Sequence, residues 1–125
     1  MQTQKETKKT TVALKLKKNI KRILLNIAGK IRDNYHPEKI ILFGSYAYGT
    51  PTEDSDIDIV VIKKENRDIS PIDRSIEIRR ILADENRQWA ITPIVYTPKE
   101  LEYRLSIGDD FVAEILEKGK VLYAR

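Results

Sequence analysis

The sequence contains no cysteine and a single histidine. Thiol chemistry, disulfides and Cys-ligated zinc are therefore excluded, and no Ser/His or Cys/His triad can be assembled with His36 placed in a loop before Pro37. No run of 18 or more apolar residues is present, so no membrane-spanning helix is expected. Nor is there an apolar stretch near the N-terminus followed by a small-residue cleavage site; the expectation is a soluble, cytoplasmic chain. Glycine and proline are scarce, at five each in 125 residues, so each one marks something local. A chain of this length makes one domain and buries roughly two-thirds of its unfolded surface without a structural metal.

Acidic residues are nearly absent from the first quarter. Residues 1–32 hold ten Lys/Arg and one Glu, a balance of +9, which leaves −5 for the rest of a chain whose net charge is +4. The basic character thus belongs to one segment and the body is acidic. Residues 1–10, MQTQKETKKT, are polar and predict a flexible basic tail ahead of a single domain at 11–125. Leu16, Ile20, Ile23, Leu24, Ile27 and Ile31 recur at helical spacing, predicting a basic amphipathic helix over about 14–34 that packs on the sheet or on a partner. Nucleic-acid binding by its lysines is the less favoured use, and membrane binding ranks lower because no aromatic anchor precedes Tyr35.

Further along, KIILF and DIDIVVIK read as strands, and AITPIVYT as a third whose Pro93 points to an edge. Ser70-Pro71 with Asp73 opens one helix, the Thr97-Pro98-Lys99-Glu100 capping box opens another, and DDFVAEILEKG forms a last helix ended by Gly119 before the strand KVLYA. This order predicts an α/β (α+β) domain with a small mixed sheet flanked by helices.

The informative stretch is LFGSYAYGTPTEDSDIDIVV, residues 42–61. Side chains two apart on a strand share a face, so Asp56 and Asp58 project together while Ile57 and Ile59 point the other way. Paired carboxylates in partly buried surroundings repel unless a cation neutralises them, and a hard divalent ion such as Mg²⁺ suits oxygen ligands and substrate phosphates. Gly44-Ser45, at the end of the preceding strand, lets backbone amides approach an anion. A D-x-D pair alone arises by chance about 0.4 times in such a chain, but with Gly-Ser at one fixed distance the expectation drops to roughly 0.002. The G-x-x-x-x-G spacing of Gly44 and Gly49 is not a P-loop, because Thr50-Pro51 stands where Lys would follow. Tyr46 and Tyr48 are candidates either for base stacking or for packing of the loop, Ser55 for holding the turn, and Trp89 for filling a hydrophobic edge near the third strand.

Gly44-Ser45, ten residues, then Asp56-x-Asp58 resembles the GS-x10-DxD motif of the minimal nucleotidyltransferases, small relatives of the polymerase-β-like superfamily. The resemblance covers about residues 39–124, including IILFGSYAYGT, DSDIDIVVI, IVYTPKELE and FVAEILEKGKVLY. It implies transfer of a nucleoside monophosphate, AMP from ATP, to a hydroxyl of a protein partner. Asp56 and Asp58 would be catalytic and metal-binding with two Mg²⁺ ions, and Gly44 and Ser45 nucleotide-binding. It also implies a HEPN-domain partner, with the chain as antitoxin, or a homo-oligomer. Two positions depart from the pattern. Thr92 stands where the family carries a third carboxylate, with Asp54 and Asp73 as candidate substitutes, and Tyr48 stands where Arg is common. The alternative is a catalytically weakened nucleotide-binding or inhibitory partner subunit.

Overall fold

A computed structural model describes the backbone from Gln2 to Arg125 and the side chains from Asn19 onward. Helix α1 spans Gln2–Tyr35. It therefore starts well before Leu14, and the segment 1–10 expected as a tail lies outside the residues whose side chains are described. Ile23, Ile27, Ile31 and Tyr35 bury the inward stripe of α1. Gly29 neither breaks the helix nor permits a close contact: a Cβ there would meet only Arg32 Nη2 at 3.9 Å. The helix ends where Pro37 forbids helical geometry to the preceding residue, and His36 turns left-handed at φ 53°. The Lys63 ammonium donates to the freed carbonyls of Tyr35 (2.7 Å) and His36 (3.2 Å), placing a cation at the negative end of the helix.

Strand β1 (Lys39–Phe43) leads through a one-turn helix, α2 (Ser45–Tyr48), to β2 (Ile57–Ile62). Then follow α3 (Pro71–Ile81), a short 3-10 turn at Glu85–Arg87, β3 (Ile91–Tyr96), α4 (Pro98–Ser106), α5 (Asp110–Lys118) and β4 (Lys120–Ala124). The four strands form one mixed sheet in the order β3-β2-β1-β4. β1 is antiparallel to both β2 and β4, and β2 is parallel to β3, with α3 as the crossover.

Residue parity divides the sheet into two faces. Ile40, Leu42, Ile57, Ile59 and Val61 pack beneath α1 and α3, while Ile41, Phe43, Val60 and Ile62 pack against Leu101 of α4 and Val112 and Ile115 of α5. β2 is buried along its whole length except at Asp58, as a central strand covered on both sides should be. The expected edge position of Pro93 is observed. Its strand's outer carbonyls are covered from α3, where the Ser75 hydroxyl donates to Pro93 O (3.2 Å) and Arg79 to Ile91 O (3.4 Å).

The expected caps form. Ser70 Oγ accepts from Asp73 N, and both arms of the Thr97–Glu100 box are made. Asp109 Oδ1, which the sequence had not singled out, caps α5 by accepting from Val112 N. The buried side of α3 includes an arginine. Arg74, Ile78 and Leu82, spaced by four, make the inward stripe, so Ile72 and Ile76 lie about 200° away and face solvent.

Candidate functional site

Everything the motif singled out gathers at one end of the sheet, where β1 finishes and β2 and β3 begin. Phe43 stands directly opposite Asp58 across the β1–β2 ladder, and Asp58 is in register with Thr92 across the parallel β2–β3 pair. Asp56 lies one pleat earlier on the same face, and Thr92 Oγ1 donates to its Oδ2 over a long 3.5 Å. The face is the one covered by α4 and α5, which pack over Val60 and Ile62 but leave Asp56 exposed and Asp58 only half-buried.

Gly44 makes the bend after β1 with φ 73° and ψ −155°, a region that essentially only glycine occupies. Space requires glycine as well: a Cβ at this position would overlap Asp58 Oδ2. The next turn is α2, four residues long. Its first hydrogen bonds run from Ala47 N (3.0 Å) and Tyr48 N (3.1 Å) to Gly44 O. The amides of Ser45 and Tyr46 precede those bonds, as the first donors of any helical turn do. Gly49, noted only as part of a rejected P-loop spacing, packs against this turn, since a Cβ on it would sit 2.8 Å from Ser45 Cα. Short glycines on both sides of Ser45 were the sequence signal for this close packing.

The expected turn role of Ser55 is observed. Ser55 Oγ accepts from Thr52 N at 2.8 Å, and Ser55 N donates back to Thr52 O at 3.1 Å, which aims the chain at Asp56. Tyr46 takes the packing option: its ring meets Trp89 edge-on at 6.5 Å on the α1/α3 side of the sheet.

Electrostatically the pair is unrelieved. Burial raises the pKa of Asp58 above the usual carboxylate value, and the neighbouring Asp56 raises it further. No cluster of three His, Cys, Asp or Glu able to hold a metal is found among the described residues, and neither Asp54 nor Asp73 is grouped with Asp56 and Asp58 there. Two hollows of about 320 and 340 Å³ lie elsewhere, beside Arg32 and Arg125 and beside Tyr35 and Arg67 respectively, and neither contains Asp56 or Asp58.

A half-buried carboxylate beside an exposed one, with a glycine bend pressed against it, suits oxygen-ligated cations and anionic substrates. A family model described as "Nucleotidyltransferase domain" matches residues 12–123. The chain belongs to this family. Among similar proteins are two from Methanocaldococcus jannaschii, each named "Putative protein adenylyltransferase". One is 39% identical over 88 residues, covering 69% of this chain and 58% of its own length. The other is 35% identical over 86 residues, covering 69% of this chain and 78% of its own length. The chain thus spans little more than half of the length of the first relative. A crystallised "putative nucleotidyltransferase" from Sulfolobus solfataricus shares the fold, with a TM-score of 0.58 at 19% identity over 83% of this chain and 79% of that one.

Proposed function

We propose that this nucleotidyltransferase domain moves a nucleoside monophosphate, AMP from ATP, onto a hydroxyl group of a protein partner. The observation that carries the reading is the contact of the Gly44 bend with the Asp58 carboxylate on a face shared with Asp56. Adenylyl transfer to protein is the activity in the relatives' names, and it is extended here to this chain.

The residues fit a divalent cation: Asp58 is held half-buried beside a second carboxylate, and a cation would offset both the desolvation and the repulsion. Asp56 and Asp58 would hold Mg²⁺, as two ions during transfer, which when bound neutralise triphosphate charge and polarise the phosphorus under attack. Ser45 offers an amide and a hydroxyl to the β- and γ-phosphates, and Gly44 lets the chain approach them without a side chain in the way. Thr92 steadies Asp56 by its hydroxyl. In the transfer, the acceptor oxygen bonds to the α-phosphorus as the bond from that phosphorus to the β-bridging oxygen breaks. Pyrophosphate leaves, and the hydroxyl proton passes to solvent.

The partner inferred from the family resemblance is a HEPN-domain protein for which this chain is the antitoxin; a second copy of the chain is the other candidate acceptor. The test is incubation with Mg²⁺, ATP labelled at the α-phosphate, and a co-purified partner. Label should appear on the partner, vanish on chelation, and be lost with Asp56→Asn and Asp58→Asn. Parent-level transfer by both variants would refute the assignment.

One observation favours a second reading. With Thr92 in register beside Asp58 and no third acid among the described residues, the chain could serve as a nucleotide-binding inhibitory subunit. It would then bind ATP and its partner while leaving the partner's mass unchanged, whereas catalysis adds the mass of one AMP residue.

A further inference from the structure

Phe111 is oddly placed for a core aromatic. It is the second residue of α5 and is 47% exposed, although its helix neighbours Val112 and Ile115 are almost completely buried. It meets Phe43 edge-to-face, with ring centroids 5.7 Å apart and planes at 84°. Phe43 is 7% exposed and stands directly opposite Asp58. Directly opposed side chains share a face. Asp58, Phe43 and Phe111 therefore form one wall that begins at a carboxylate and ends at an open aromatic ring.

We propose that the base of the bound nucleoside triphosphate stacks on the exposed surface of Phe111, which makes this residue the feature that separates a nucleotide from bare polyphosphate. The inference rests on the nucleotidyl-transfer reading above and names the part of the substrate that reading left without a partner.

Reach supports it. Opposed residues of an antiparallel pair lie about 5 Å apart, and one further ring-to-ring step reaches Phe111, so the ring stands on the order of 10 Å from Asp58. That is the scale of a ribose with its α-phosphate. Rigidity supports it too. The start of α5 is fixed by Asp109, which accepts from Val112 N at 3.1 Å and pairs with Arg104 at 3.5 Å. The end is fixed at Gly119, where a Cβ would overlap Ile41 Cγ2. A ring already held in place loses little freedom when a base settles on it. The other aromatics are less suited: Tyr46 is engaged with Trp89 on the opposite face, and Tyr96 lies at the far end of β3. Tyr103 on α4 and Tyr48 at the end of α2 are also open rings, and Tyr48, beside the glycine bend, provides the comparison.

The test is titration of the parent, Phe111→Ala, Phe111→Leu and Tyr48→Ala with ATP and, separately, with inorganic tripolyphosphate, all in Mg²⁺. Loss of a base–aromatic stack should weaken ATP binding on the order of tenfold. Both Phe111 variants should show this while binding tripolyphosphate like the parent, and Tyr48→Ala should lose less affinity for ATP than either of them. The leucine variant retains apolar packing on Phe43, so a melting temperature near the parent's separates stacking from folding. The proposal is overturned if Phe111→Leu keeps parent affinity for ATP, if it loses both ligands equally, or if Tyr48→Ala carries the ATP-specific loss. A parent that binds tripolyphosphate but gains nothing from the base overturns the stacking and leaves the phosphate site standing. A parent that binds neither ligand overturns the transfer reading itself.

Discussion

Gly44 and Asp58 touch so closely that a single methyl group on the first would occupy the space of a carboxylate oxygen of the second. The backbone of Gly44 also lies where side-chain-bearing residues are strained. Gly44→Ala should therefore cost about 2 kcal/mol or more, from backbone strain of about 1–3 kcal/mol with the steric overlap added. Urea denaturation reads this as a lowered midpoint, and ATP titration should show weakened binding alongside it. A variant that melts and binds like the parent would mean the bend relaxes freely.

Asp58 should trade stability for binding. Its folded pKa is raised above the usual 3.8, first by burial and then by Asp56. Above the folded pKa the ionised form is disfavoured in the native state, so its charge destabilises near neutrality, and that loss is relieved as pH falls through the folded pKa toward 3.8. Asp58→Asn should thus melt higher than the parent at pH 7 in chelator, with the advantage shrinking toward pH 4. Adding Mg²⁺ should raise the melting temperature of the parent and leave the variant unmoved. Thermal scans across pH, with and without Mg²⁺, check both.

The opposite sign is expected at Glu65. The Arg67 guanidinium holds its pKa down at about 2, against a usual 4.5, and the same guanidinium reaches Glu77 at 3.1 Å. A depressed carboxylate contributes stability that is fully present above about 4.5 and lost as pH falls toward 2. Glu65→Gln should melt below the parent at pH 5–7 and converge with it near pH 2. Parallel melting curves throughout this range would show that the pair contributes nothing.

Glu100 serves two structures at once. It completes the capping box with Thr97 N at 3.1 Å and pairs with Arg74 at 2.5 Å, whose side chain is only 10% exposed. Thr97→Ala should cost about 1 kcal/mol, the worth of an N-cap. Glu100→Ala also strands the Arg74 charge and should cost about 2–3 kcal/mol, less than a fully buried pair because Glu100 keeps some solvent. Chemical denaturation of the two variants should give that order.

The parts of the fold legible in the sequence are those set by local rules. Pro after Ser or Thr fixed the starts of α3 and α4, and strand parity put Asp56 and Asp58 on one face. Pro93 marked the edge strand. What stayed hidden depends on contacts between distant residues. Lys63 closing α1 requires β2 to end beside Tyr35, and the wall of Phe43 and Phe111 requires α5 to lie across β1. The one-turn helix α2 was hidden for a different reason: four residues carry too little periodicity to show against a background of turn-forming glycines. Thr92 was located from the family pattern, and its register with Asp58 follows from the parallel pairing of β2 and β3.

The sealing of β3 has a consequence for how copies of this molecule can meet. Proline offers no amide at position 93, and the carbonyls of Ile91 and Pro93 are already engaged by α3. A neighbouring strand arriving on that margin finds few rungs to grasp. Sheet growth between molecules, whether orderly or in aggregates, is therefore confined to the margin of β4, where the bulge opposite Ile40 and Ile41 and the terminal cations Lys120 and Arg125 discourage it.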